Sequence, residues 1–236
     1  MFKIKKNTRY KKVCAILLAA GKGTRMGSDI KKQYISVCGY PLIYYSLDTL
    51  SKCSLVDRII LVVGEDDIVT VNEIIREYNF NKVSHIVVGG KERMHSVYNG
   101  LKEAEEFDYV LVHDGARPLI SKEDVENVIK DAFIHKAATL GVKVKDTIKK
   151  ADENKIVKET LKREELYIIQ TPQVIERNLL LEGYANSKDK IFTDDTSIVE
   201  NIGKDVKITE GSYSNIKVTT IDDLRYVESF LSEEEN

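Results

Sequence analysis

The sequence predicts an α/β fold, a mostly parallel twisted sheet with helices on both faces and a projecting β-arm. Three observations predict it. Apolar runs rich in Val and Ile alternate with segments whose apolar residues recur at helical spacing, the pattern of successive βαβ units. The first run ends in a glycine-rich turn, the kind of connection at which open α/β sheets meet ligands. Residues 145 to 165 break the rhythm, because Lys, Glu and Asp dominate and isolated apolar residues define no core face. With 236 residues, 42% hydrophobic, 31% charged and only 3 prolines, the chain has material for a core and too little Pro and Gly for disorder. We expect a single domain over 1–236, with 1–12 a basic extension and 143–168 the arm.

The elements follow in order. Residues 1 to 12 hold five Lys and one Arg, and the apolar run Val13 to Ala20 follows, a superficial match to a secretory signal. The run ends, however, in Gly21-Lys22-Gly23-Thr24-Arg25, a charged turn suited to a buried parallel strand. Pro41 can open a helix carrying Ile43, Leu47 and Leu50, and Arg58 to Val63 returns to a strand. Ile68, Val71, Ile75 and Tyr78 mark a helix, His85 to Val88 a strand, Met94, Val97, Leu101 and Ala104 a helix, and Tyr109 to Val112 a strand. Ser121 with Asp124 resembles a capping box before a helix with Val125, Val128, Ile129, Ala132 and Phe133, then a strand near Thr139 to Val144. Across 145 to 165 the turn-like Asp152-Glu153-Asn154 suggests a polar hairpin, marginal alone in water and so expected to pack on another subunit; the alternative is a solvated loop. Helices are expected near Val174 to Tyr184 and Asp195 to Asn201, strands near Val206 to Glu210 and Ile216 to Thr219, and a closing helix from Asp222.

Formal charge is −2, which removes the electrostatic footprint of a nucleic-acid or membrane-surface protein and leaves any polyanion site local. Cys14, Cys38 and Cys53 form no CxxC spacing, so neither a disulfide framework nor a zinc site is supported and a reducing cytoplasm is expected. No stretch approaches the ~20 apolar residues of a membrane span.

The turn Ala19-Ala20-Gly21-Lys22-Gly23-Thr24-Arg25-Met26-Gly27 lets backbone N–H groups approach phosphate oxygens. Its third glycine comes one residue late for a dinucleotide fingerprint, and Gly23 stands where a Walker A loop needs Ser or Thr. A glycine loop carrying Arg25, with Lys31 and Lys32 following, suits a triphosphate that is cleaved while held. At the next candidate, His113-Asp114-Gly115-Ala116-Arg117-Pro118, a strand-end carboxylate can hold Mg²⁺ against phosphates; the bland reading is an Asp-Arg pair fixing a loop. His113 reads as structural. Gly89-Gly90-Lys91-Glu92-Arg93 with Ser96 offers backbone and hydroxyl contacts to a base, or merely a helix entry.

Together these segments resemble one family. Leu18-Ala19-Ala20-Gly21-x-Gly23-x-Arg25-Met26, Lys32-Gln33-Tyr34, Gly89-Gly90-x-x-Arg93-x-x-Ser96-Val97, His113-Asp114-x-Ala116-Arg117-Pro118, Asp146-Thr147, Gln170-Thr171-Pro172-Gln173, Thr193-Asp194-Asp195 and Asn215-Ile216-Lys217-Val218-Thr219 are similar to the 2-C-methyl-D-erythritol 4-phosphate cytidylyltransferase family of the non-mevalonate isoprenoid pathway, over residues 13 to 231. The resemblance implies a Rossmann-like nucleotidyltransferase fold and in-line transfer of CMP from CTP to methylerythritol phosphate, with pyrophosphate leaving and Mg²⁺ bridging the phosphates. It implies catalytic Arg25 and Lys32, and nucleotide contacts at Ala19, Ala20, Gly21, Gly23, Gly90, Ser96, Asp114 and Gly115. It further implies sugar-phosphate contacts at Arg117, Thr147, Arg163, Thr171, Thr193 and Lys217, and a metal contact at Asp114. By the same resemblance the chain is a homodimer through the arm, which carries Arg163 to the neighbouring site, and is cytoplasmic or in a plastid stroma, with no nucleic-acid or membrane partner.

Ribitol-5-phosphate cytidylyltransferase is the nearest alternative, resembling Gly211-x-Tyr213-x-Asn215-Ile216-Lys217 but usually carrying Ser after the His-Asp pair. The chain departs from the family at Leu18 and Lys31, both places of frequent Pro, and at Lys91 and His95, often Asp. Two other classes are a nicotinamide oxidoreductase, which lacks its fingerprint here, and a silent nucleotide-binding regulator, which has little reason to keep Arg25, Lys32, Asp114 and Lys217 together.

Overall fold

A computed structural model describes residues 10–21, 31–187 and 190–234. Strand β1 (Val13–Ala19) is followed by a small antiparallel pair, β2 (Ser36–Val37) and β3 (Tyr40–Pro41), and by α1 (Leu42–Lys52). Then come β4 (Arg58–Val63), α2 (Ile68–Glu77), β5 (Val83–Val88), α3 (Arg93–Lys102), β6 (Tyr109–Asp114), α4 (Lys122–His135) and β7 (Ala137–Lys143). The second half holds β8 (Lys149–Ala151), β9 (Val157–Thr160), β10 (Tyr167–Glu176), α5 (Arg177–Ala185), α6 (Thr196–Glu200), β11 (Lys207–Glu210) and α7 (Ile221–Glu234).

Seven strands form one sheet in the order β11-β7-β10-β6-β1-β4-β5. Every adjacent pair is parallel except those made by β10, which runs antiparallel to β6 and β7. The central strands are apolar at nearly every position because both faces are covered. Val13, Ala15, Leu17 and their neighbours Ile59 and Leu61 meet α1, α2 and α4 on one side. Cys14, Ile16, Ile60 and Val62 meet α3, α5 and α6 on the other. Period-two alternation inside a continuous apolar run thus builds two cores. A third, smaller cluster packs Val227 of α7 on Val37, Leu42 and Val218.

The structure corrects the expectation in two places. No helix begins at Val174: the chain stays in β10 to Glu176, and α5 starts at Arg177. Strand β10 was hidden because Gln170-Thr171-Pro172-Gln173 interrupts its apolar runs, and proline reads against a central strand. The ladder to β7 shifts register between Ile169 and Gln173, where the Thr171-Pro172 bond is cis. Nor is 216–219 a strand. Ile216 and Val218 pack into the α7 cluster, and Val218 N donates to Ala116 O at 2.8 Å, so the apolar pair serves a docked coil. The polar stretch does form a hairpin, with β8 and β9 antiparallel and exposed. Asp152 ties its turn, accepting from Asn154 N at 3.0 Å, Ile156 N at 2.9 Å and Lys158 Nζ at 2.7 Å.

Candidate active site

Strands β1, β4, β5 and β6 end at one edge of the sheet, and their following loops converge there. Close approach of these loops is possible because the turn after β5 is glycine: a Cβ at Gly89 would overlap Ala20, and one at Gly90 would overlap His95. Ser96 Oγ accepts from Gly90 N at 3.0 Å, fixing this turn to the first turn of α3. Glu92 and His95 close a reciprocal cap on the same helix, so His95 has a local structural task.

Two cavities open along this edge. The smaller, about 360 Å³, lies between the ends of β1 and β5 and is lined by Ala19, Ala20, Gly21, Lys32, Gly90 and Ser96 among others. The larger, about 700 Å³, lies beside β10 and is lined by Arg117, Gln170, Thr171, Thr193 and Asp194 among others. Arg93, Asp114 and Lys217 line both. Asp114 is buried at the end of β6, and both its oxygens face cations: Arg93 Nε lies 3.2 Å from Oδ1 and Lys217 Nζ 2.7 Å from Oδ2. Burial pushes the carboxyl upward, but Arg93 and Lys217 outweigh it and hold the group well below the ordinary carboxylate range. Arg93 also reaches Asp195 Oδ2 at 2.8 Å. Full burial raises the Asp195 pKa against the pull of Arg93.

Polar contacts from His113, Thr171, Asn215 and Gln173 fix the elements that carry this cluster. His113 Nδ1 lies 3.0 Å from Thr171 Oγ1, which accepts from Asp114 N at 3.1 Å, and His113 Nε2 lies 3.3 Å from Arg117 O. Since a carbonyl only accepts, Nε2 carries the proton and Nδ1 receives the threonine hydroxyl. Burial lowers the imidazole pKa to about 4, so the ring is neutral at pH 7 and structural, as expected from its strand-end position. Asn215 Nδ2 donates to Thr171 O at 2.9 Å and Arg117 Nη1 to Asn215 O at 2.7 Å, which seats the coil that presents Lys217. Gln173 accepts from Asp195 N at 2.8 Å and donates to Asp194 Oδ2 at 2.8 Å, holding the Thr193–Asp195 turn at the larger cavity.

A family model described as 2-C-methyl-D-erythritol 4-phosphate cytidylyltransferase matches residues 13–233. The chain belongs to this family. A relative of that name from Clostridium novyi is 48% identical over 223 residues, 93% of this chain and 96% of its own length. One from Lachnoclostridium phytofermentans is 45% identical, over 95% of this chain and 98% of its own. A 4-diphosphocytidyl-2C-methyl-D-erythritol synthase structure from Anaerococcus prevotii superposes with a TM-score of 0.84 at 33% identity, covering 95% of this chain and 100% of that one.

In this member of the cytidylyltransferase family the expected site residues separate into groups. Ala19, Ala20, Gly21, Lys32, Gly90, Ser96 and Asp114 gather at the smaller cavity, and Arg117, Thr171 and Thr193 at the larger, with Lys217 between. Gly115 lines neither; its N donates to Leu18 O at 2.9 Å, a structural turn contact. Thr147 and Arg163 sit exposed on the arm away from both cavities, Arg163 donating to Lys145 O at 3.1 Å. Gly23 and Arg25 lie outside the described residues. The alternative reading of the strand end, an Asp114–Arg117 pair fixing a loop, does not describe the contacts: Asp114 pairs with Arg93 and Lys217. Arg93 and Asp195 were the residues sequence reasoning left without a role; both stood inside the matching motifs. Among the described residues, no helix is long and apolar enough to cross a membrane.

Proposed function

We infer that this protein transfers CMP from CTP to 2-C-methyl-D-erythritol 4-phosphate, releasing pyrophosphate. The observation that carries this reading is the pair of cavities meeting at one Arg93–Asp114–Lys217 cluster, which suits a nucleotide and a phosphorylated acceptor brought to a shared centre. CTP takes the smaller cavity, its base against the Gly90–Ser96 turn and its phosphates near Gly21 and Lys32. The acceptor takes the larger cavity, with Arg117, Thr171, Thr193 and Lys217 around its phosphate. An acceptor phosphate oxygen attacks the α-phosphorus in line and pyrophosphate leaves. Lys32, half-buried and donating to Val218 O at 2.9 Å, together with Arg25, stabilises the charge that grows on the α-phosphate. Lys217 spends one N–H on Asp114 and has further donors for the acceptor.

Mg²⁺ fits the donor chemistry as a metal shared with the triphosphate. Magnesium takes one or two carboxylates and completes its shell with phosphate and water, and Asp114 is an ionised hard donor between the two cavities. Among the described residues no cluster of three or more ligating side chains stands ready to hold a metal alone. Asp114 would hold the ion, whose chemistry is neutralisation of phosphate charge. Asp114→Asn is expected to raise the Mg²⁺ concentration giving half-maximal rate; a titration superposing on the wild type would make Asp114 an anchor for Arg93 and Lys217 only.

The homodimer is also proposed. Ile148, Ile156, Val157 and Ile168 are 37%, 59%, 55% and 54% exposed on or beside the arm, an apolar strip that a second subunit would cover. A cytoplasmic setting is supported by the free Cys14, Cys38 and Cys53. Pyrophosphate release with CTP and either methylerythritol 4-phosphate or ribitol 5-phosphate tests the acceptor. The relatives' names put methylerythritol phosphate first; turnover with ribitol phosphate alone would reverse the assignment.

A further inference from the structure

Lys31 and Lys32 are adjacent in sequence, yet they go different ways. Lys32 lines the smaller cavity, whereas Lys31 lines neither and turns toward the end of β4. There its Nζ meets Asp67 Oδ1 at 2.7 Å. Asp67 is 6% exposed, and Lys31 is the more exposed partner of the pair. The pair rests on Gly64: a Cβ there would stand 2.8 Å from Asp67 Oδ2 and 3.2 Å from Lys31 Nζ. Asp67 N donates to Gly64 O at 3.0 Å, so the backbone that carries the carboxylate is held to the strand end.

The same turn has two further ties. Tyr34 N donates to Lys31 O at 2.9 Å, and Gln33 Nε2 donates to Ala19 O at 2.7 Å and Gly21 O at 3.2 Å. Gln33 therefore binds the turn to the end of β1, and Lys31 binds it to the end of β4. Lys32 sits between these anchors. Lys31 has φ −62°, the value that a proline ring would impose.

We propose that Asp67, through its ion pair with Lys31, is a positioning residue for the transfer reaction, fixing the 31–34 turn so that the Lys32 ammonium stands at the smaller cavity. A buried carboxylate, remote from both cavities, gives the pair a defined geometry that an exposed lysine contact lacks. A displacement of about 1 Å at a charge-stabilising group is enough to slow a reaction by up to ~10²-fold. The role of Lys32 rests on the function proposed above.

The test combines D67N, K31P and the double variant K31P/D67N in the full-length protein. With CTP and methylerythritol 4-phosphate, D67N is expected to lower kcat about 5- to 20-fold with KM for CTP within about twofold. Because proline holds the same φ without an ion pair, K31P should keep kcat within about threefold, and D67N should cost nothing more in that background. Trace acetylation followed by peptide mass spectrometry reads Lys32 directly and needs no turnover. Its reactivity should rise several-fold in D67N and fall back in K31P/D67N. Equal losses from D67N in both backgrounds, or unchanged Lys32 reactivity and kcat in D67N, would overturn the proposal. If D67N yields no folded protein, K31M removes the pair from its more exposed side and carries the same expectations. A wild type that releases no pyrophosphate would refute the assigned reaction, while the acetylation series still decides the positioning role.

Discussion

At the scale of single residues, the site is a set of cations arranged around one carboxylate, and each has a separable effect. Lys32→Ala is expected to lower kcat on the order of 10²- to 10³-fold with little change in CTP affinity, because a donor aimed at developing charge acts in the transition state. Steady-state kinetics beside equilibrium CTP binding checks this; a loss confined to affinity would make Lys32 a ground-state contact. His113 gives a prediction of a different kind. Burial lowers its folded pKa to about 4, whereas an unfolded histidine titrates near ~6.5. Between those values the unfolded chain takes a proton that the native ring refuses, so stability falls as pH drops through the window, by up to about 3 kcal/mol. Above it His113 contributes no pH dependence. Urea unfolding at pH 7 and pH 5 should show His113→Gln less stable at pH 7 yet less sensitive to the change; equal sensitivity would acquit His113. Asp114 and Lys217 were legible from their motifs, but their pairing was not, because 103 residues separate them. Arg93 escaped for the same reason, its partners Asp114 and Asp195 lying in other segments. Lys31 follows the glycine loop beside Lys32, but its ammonium meets Asp67, a partner 36 residues away that its local sequence does not indicate.

At the level of elements, the alternation of apolar runs and helical periodicity matches β1, β4, β5, β6 and β7 with the helices between them, since burial writes itself into composition. The two-residue strands β2 and β3 are too short to carry a pattern. Strand β10 was illegible for a physical reason tied to function. Gln170, Thr171 and Gln173 occupy positions in the middle of the sheet, and their side chains bind Ser212 O, Asp114 N and the Asp194–Thr196 turn. Residues chosen to build a site spoiled the strand signal. The 216–219 coil shows the converse, a β-branched pattern produced by packing on α7. The turn between β5 and α3 leaves no room for a side chain at Gly90. Gly90→Ala would force Cβ into His95, so either the turn or α3 must shift, moving Ser96 and Arg93 together. We expect KM for CTP to rise at least tenfold and thermal stability to fall; unchanged values would mean that the helix start yields freely. Replacing His95 with Gly in the same chain removes the nearest contact, with the His95 Cβ, but not the backbone carbon at 2.9 Å, and should recover part of both losses.

At the scale of the whole molecule, the proposed arm exchange predicts complementation. Arg163 is remote from its own chain's cavities, whereas Lys217 lines both. If the arm serves a partner, Arg163→Ala and Lys217→Ala proteins, each nearly inactive, should regain up to about half of wild-type activity when mixed as subunits, because one site of the heterodimer collects both lesions and the other neither. Verified heterodimers without recovery would show that Arg163 serves its own subunit. The order in which the chain is synthesised adds a consequence to the sheet topology. Lys32 waits for Val218, 186 residues later, and β6 waits for an antiparallel neighbour, β10, that comes only after α4, β7 and the arm. Contacts of such long sequence separation close late, after local helices and the parallel β1–β4–β5 layer have formed. A ribosome-bound chain that has not yet released α7 therefore holds most of a sheet but no working centre, and on refolding from denaturant the return of turnover should trail the return of helical circular dichroism.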